Sequence, residues 1–69
     1  MKLLIIGGTG GTGQQIIKQA LQQGHSLTVL ARHPHKIKII SSQLNVIKGN
    51  VLDPIKVQEV VAGQDAVLS

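Results

Sequence analysis

The run Gly7-Gly8-Thr9-Gly10-Gly11-Thr12-Gly13 stands directly after the apolar stretch at residues 3–6 and directly before an amphipathic segment. No other feature constrains the fold as tightly. Glycines without a Cβ allow a tight turn between strand and helix, and let another group approach the backbone closely. The helix that follows opens with unpaired N–H groups and a partial positive charge, which together favour an anion. The loop therefore offers Gly7, Gly10, Gly11 and Gly13 through the backbone, with Thr9 and Thr12 as hydroxyl donors beside them.

A glycine pattern alone is weak evidence, but one flanked by a strand and a helix points to the pyrophosphate of a dinucleotide. The run satisfies two registers, GxGxxG through Gly8, Gly10 and Gly13 and GxxGxxG through Gly7, Gly10 and Gly13, and the residues leave both open. A tight turn without a ligand is the plain alternative. A triphosphate loop is disfavoured, because Gln14 and Gln15 follow Gly13 where that motif needs Lys and Ser or Thr.

Four short apolar runs, at residues 3–6, 27–31, 44–47 and 66–68, are bounded by turn-forming or polar residues and predict buried strands. The apolar content is almost all Val, Ile and Leu, with no Phe, Tyr or Trp, which suits strands covered on both faces. Residues 14–23 predict a helix with Ile16, Ile17, Ala20 and Leu21 on one face and Gly24 as a left-handed cap. A second helix is predicted to start at Asp53 as cap and Pro54 as first residue, and to run towards Gly63. Between residues 34 and 43 the alternation Lys36-Ile37-Lys38-Ile39 reads as a strand, yet the position calls for a crossover, so a short, poorly formed helix is expected. Strands alternating with helices imply right-handed βαβ units, and the expected parallel sheet has strand order 3-2-1-4. With 69 residues the chain is expected to be the first half of a doubly wound domain, with no second domain.

The partner chemistry follows from residues at the strand ends. Net charge is +4, so an anionic partner is reasonable. About 20 residues beyond the glycine loop, a site selective for NAD presents a carboxylate to the ribose 2′-hydroxyl. Here the sequence reads Leu30-Ala31-Arg32-His33, and Arg32 can pair with a 2′-phosphate instead, which favours NADP(H) over NAD(H). Arg32 as an ordinary solvated charge is the alternative, and His33 either assists the phosphate or caps the segment that begins at Pro34. Asn50 can meet an adenine edge with both an acceptor and a donor, whereas Asp53 reads as a helix cap. His25 and His35 lack metal-ligand spacing. The lysines are dispersed and no aromatic is available for stacking, which disfavours a nucleic acid partner. No apolar run reaches the length of a membrane span, and the absence of cysteine fits a cytoplasmic setting while excluding disulfides and thiol chemistry.

Taken together, MKLLIIGGTGGTG, QQGH, LTVLARHP, LNVIKGNVLDP and GQDAVLS resemble the N-terminal part of atypical short-chain dehydrogenase/reductases. The chain is most similar to the NAD(P)H-binding group that includes NmrA-like proteins and biliverdin reductase B-type flavin reductases. That resemblance implies a Rossmann domain with Gly7, Gly10 and Gly13 at the pyrophosphate, Thr9 and Thr12 beside it, Arg32 at the 2′-phosphate, and Asn50 with Val51 near the adenine. It implies an oxidoreductase passing hydride to a small flavin- or quinone-like acceptor, or an NmrA-like regulatory protein that holds the dinucleotide without turnover. The family commonly has Asp where this chain has Asn50, and its nicotinamide pocket and substrate region lie beyond Ser69. No catalytic residue is assigned. The exposed fourth strand, residues 66–68, is expected to promote self-association.

Overall fold

A computed structural model describes residues 1–7 and 10–68. Its elements are β1 (Lys2–Ile6), α1 (Gly11–Gln22), β2 (Ser26–Ala31), a 3-10 turn (Pro34–Lys36), β3 (Leu44–Lys48), α2 (Pro54–Val61) and β4 (Ala66–Leu68). The four strands form one parallel sheet in the order β3-β2-β1-β4, the order expected from the strand and helix alternation. Leu3 pairs with Leu27 on one side and with Ala66 on the other, so β1 and β2 occupy the interior of the sheet. Their Val, Ile and Leu side chains are correspondingly the most buried.

Side chains alternate across the sheet and make two cores of unequal size. On one face Leu3, Ile5, Leu27, Val29 and Ala31 pack with Ile17 and Ala20 of α1. On the other, Leu4 and Leu30 pack with Val60, the one buried residue of α2. Each fully buried side chain of this size contributes roughly 1.5–3 kcal/mol, so the α1 face supplies most of the stabilisation.

The helix ends follow from local chemistry. Gly24, at φ 86°, donates to the Leu21 carbonyl while His25 N–H donates to that of Ala20, the paired bonds of a Schellman cap. Asp53 accepts from Ile55 N–H and Lys56 N–H, and Pro54 takes the first helical position of α2, as its sequence predicts. That helix stops short of Gly63, because Gln64 N–H donates to the Val61 carbonyl across a turn with Gly63 at φ 81°. Asp65 then joins β4 to β1: its N–H donates to the Lys2 carbonyl and its carboxylate accepts Lys2 N–H, each at 2.7 Å.

Two expectations are corrected. The first helix begins three residues before Gln14, so that Gly11, Thr12 and Gly13 form its first turn behind Gly10 as N-cap. Gln14 N–H, donating to the Gly10 carbonyl at 3.0 Å, is the first to close the helical ladder. The β2–β3 crossover is a single 3-10 turn followed by extended chain. Ile37 and Ile39 face the α1-side core while Lys38 and Ile40 face outward, so the alternation serves an extended cover on the sheet and not a helix. Among the described residues no helix is long and apolar enough to cross a membrane.

Candidate functional site

In a parallel sheet every strand ends on the same side, and the loops leaving β1, β2 and β3 converge there. The backbone extends these strands past their last paired residues. Gly7 N–H donates to the Leu30 carbonyl at 2.9 Å, and Gly49 N–H donates to the Ala31 carbonyl at 3.0 Å. Gly7 lies at φ 100°, a conformation that strongly favours glycine, at the point where the chain leaves β1.

Above these turns lies a cleft of about 400 Å³ lined by Ile6, Gly7, Leu30, Arg32, His33, Gly49, Asn50, Val51 and Leu52. The structure thus gathers Gly7, Arg32, His33, Asn50 and Val51 around one space. Gly10, Gly11, Thr12 and Gly13 sit at the start of α1, after the loop that leaves Gly7. Thr9, and with it Gly8, lies outside the described residues.

The chemistry of the cleft is one-sided. Among the described residues no carboxylate lines it, and its charge comes from Arg32, which is exposed. The His33 and His35 rings meet edge to face with centroids 5.9 Å apart, next to Arg32. Ile6 and Leu30 are apolar, and Val51 and Leu52, respectively 52% and 83% exposed, add an apolar rim. Among the described residues none caps the start of α1 with its side chain, and its first turn holds no acidic residue. Its N–H groups are therefore available to an anion, with the helix dipole in support. The crossover is tied to this turn, since Gln14 Nε2 donates to the Lys36 carbonyl at 3.4 Å.

Gly49, Leu52, Ile6 and Leu30 were not among the residues singled out from sequence. Gly49 matters most, because a Cβ there would come within 2.6 Å of Leu30 Cδ1 and 2.9 Å of Lys56 Cγ. Glycine keeps this floor low while Leu30, only 1% exposed, fills the core beneath it. Its position two residues past the apolar run at 44–47 does not reveal this, because the contact joins distant parts of the chain. Asn50 is also placed differently than its chemistry suggests: Oδ1 accepts Leu52 N–H at 2.9 Å, and the acceptor is already engaged in the turn. A second cleft, of about 330 Å³, lies at the opposite end of the strands, among Lys2, Thr28, Gln43, Asn45 and Gln64. Among the described residues no helix starts at that end.

A parallel sheet in this order, with a glycine-rich turn from β1 into α1 and a cleft over the strand ends, defines a Rossmann-type dinucleotide fold. The chain belongs to the NAD(P)H-binding family, whose sequence pattern it matches over residues 7–69. It is 33% identical over 69 residues to photosystem II assembly factor Ycf39 of Synechocystis, covering 99% of this chain and 21% of that protein. With 2-alkyl-3-oxoalkanoate reductase of Stenotrophomonas maltophilia it shares 34% identity over 68 residues, 97% of this chain and 20% of the reductase. The chain thus spans about a fifth of the length of these relatives. Among solved structures, a Rossmann-fold NAD(P)-binding family protein from Shigella flexneri superposes with a TM-score of 0.87 at 32% identity, over 96% of this chain and 34% of that one.

Proposed function

We propose that this chain is the N-terminal, dinucleotide-cradling half of the Rossmann domain of an NADP(H)-dependent oxidoreductase that passes hydride to a small organic acceptor of flavin or quinone type. In this reading the loop from Gly7 to Gly13, with Thr9 and Thr12, holds the pyrophosphate at the start of α1. Arg32, assisted by His33, holds the 2′-phosphate, and Asn50 and Val51 flank the base. The nicotinamide supplies the hydride chemistry, and the residues of this chain bind and orient.

The observation that carries the preference for NADP(H) is Arg32 in the lining of a cleft to which no described residue contributes a carboxylate. A dianionic 2′-phosphate meets no repulsion there and gains a charge-assisted contact. Arg32 is exposed, so the low end of the usual range applies, about 1.5 kcal/mol or roughly tenfold in affinity. The 34% identity to a reductase supports turnover in the complete protein. Likeness to an assembly factor supports the second reading, in which the dinucleotide is held without turnover. We place the protein in the cytoplasm, which a chain without cysteine suits.

The test is a fluorescence titration with NADPH and NADH, undisturbed by the protein because the chain has no Trp or Tyr. NADPH should bind roughly tenfold tighter than NADH, and Arg32→Ala should remove that advantage while leaving NADH within about twofold. Equal binding of the two by the unaltered chain would refute the NADP(H) assignment.

A further inference from the structure

The segment that carries Arg32 is held lightly. Ala31 before it accepts Gly49 N–H, and Ile37 after it is buried in the α1-side core, but Arg32, His33, His35 and Lys36 are all exposed. Within the segment the 3-10 turn is closed by Lys36 N–H on the His33 carbonyl and by Ile37 N–H on the Pro34 carbonyl, each at 3.0 Å. Among the described residues one hydrogen bond ties residues 32–36 to another element, from Gln14 Nε2 to the Lys36 carbonyl at 3.4 Å. A carbonyl only accepts, so the atom of Gln14 that meets it is the amide nitrogen. Gln14 is half-buried, and its own N–H donates to the Gly10 carbonyl at 3.0 Å, which fixes its backbone at the start of α1. The bonds therefore run in series: the helix start holds Lys36, Lys36 holds His33, and Arg32 is caught between His33 and the strand end at Ala31.

A charged side chain on a loosely held segment loses affinity to the ordering of that segment when the ligand arrives, and a bond that orders it beforehand removes part of that cost. We propose that Gln14 is a positioning residue for cofactor discrimination, which orders the Arg32–His33 segment against the start of α1 so that the guanidinium meets a 2′-phosphate at a set distance from the pyrophosphate. Its action runs through the crossover and not through contact with the phosphates. NADH, which has no 2′-phosphate, gains nothing from it. The bond is long and partly exposed to water, so the effect is modest. The inference rests on the NADP(H) reading and adds to it the residue that holds Arg32 in place.

Gln14→Met keeps the length and the helix propensity of the side chain and removes the donor. Titrated with both dinucleotides, this variant should lose about threefold or more of the roughly tenfold preference for NADPH while binding NADH within about twofold of the unaltered chain. Combined with Arg32→Ala, it should leave the ratio of the two affinities within about 1.5-fold of that in Arg32→Ala alone, because no guanidinium remains to be positioned. Amide hydrogen exchange gives a readout without ligand: Lys36 and Ile37 N–H should exchange about threefold faster or more in Gln14→Met, with the amides of β1 and β2 unchanged, which also shows that the variant is folded. Equal weakening of NADPH and NADH, a preference lowered by less than about threefold, an equal effect in the Arg32→Ala background, or unchanged exchange at Lys36 and Ile37 would overturn the proposal. Equal binding of the two dinucleotides by the unaltered chain would refute the NADP(H) reading, and this inference with it, an outcome distinct from an NADPH preference that Gln14→Met leaves standing.

Discussion

The unequal cores on the two faces of the sheet lead to a quantitative prediction. Ile17 of α1 is 0% exposed and lies among Leu3, Ile5, Leu27 and Val29. Ile17→Ala removes three carbons, about 2.4 kcal/mol at roughly 0.8 kcal/mol for each. The surrounding parallel strands cannot collapse into the space, so a cavity term of about 1–1.5 kcal/mol adds to it. The total is about 3.5–4 kcal/mol. Val60 is the one residue of α2 buried against Leu4 and Leu30, and it is 6% exposed at a thinly covered edge. Val60→Ala removes two carbons beside a helix free to shift, about 1.6–2 kcal/mol. A domain of this size has only roughly 3–10 kcal/mol in total. The first substitution should therefore leave the chain largely unfolded or close to it, and the second should leave it folded. Urea denaturation followed at 222 nm measures both losses, and a thermal scan at the same wavelength should give a melting temperature lower by about 10 °C or more in Ile17→Ala than in Val60→Ala. Equal loss from the two substitutions, or greater loss from Val60→Ala, would refute the claim that the α1 face dominates.

Further outcomes follow from single positions. Gly24→Ala meets no atom within 4 Å, so its cost is that of a left-handed backbone alone, about 1 kcal/mol, and Gly24→Asn should cost visibly less in the same denaturation assay. The exposed fourth strand should promote self-association through Val67 and Leu68, 45% and 44% exposed, and Val67→Lys should shift sedimentation towards monomer. A chain already monomeric at millimolar concentration would contradict this.

The strands, their order and the capping of α2 are legible from apolar periodicity and from Asp53-Pro54, because both signals are local. The start of α1 is less so. Gly11 and Gly13 disfavour a helix interior, but in a first turn the N–H groups need no intrahelical partner and the glycines cost little. In Lys36-Ile37-Lys38-Ile39 the alternation marks Ile37 and Ile39 as core-facing, yet no sequence rule says that the segment covers a sheet face without joining the sheet. In the site, Arg32, His33 and Asn50 are legible because they follow strands of recognisable length by one or two residues. Gly49 is not, because its necessity comes from Leu30 and Lys56 meeting over it, a contact between distant parts of the chain. The same is true of the Asn50 oxygen, whose engagement by Leu52 N–H depends on the turn that the following helix imposes.

The most direct test of the central claim is a map of amide chemical shifts of the chain as NADPH is added. Binding in the cleft over the strand ends should perturb Gly7, Gly10, Gly11, Arg32 and the rim from Gly49 to Leu52, while Lys2, Ser26, Asn45 and Gln64 at the opposite end stay unmoved. Perturbations centred on that opposite end, or none at millimolar NADPH in a folded chain, would contradict it.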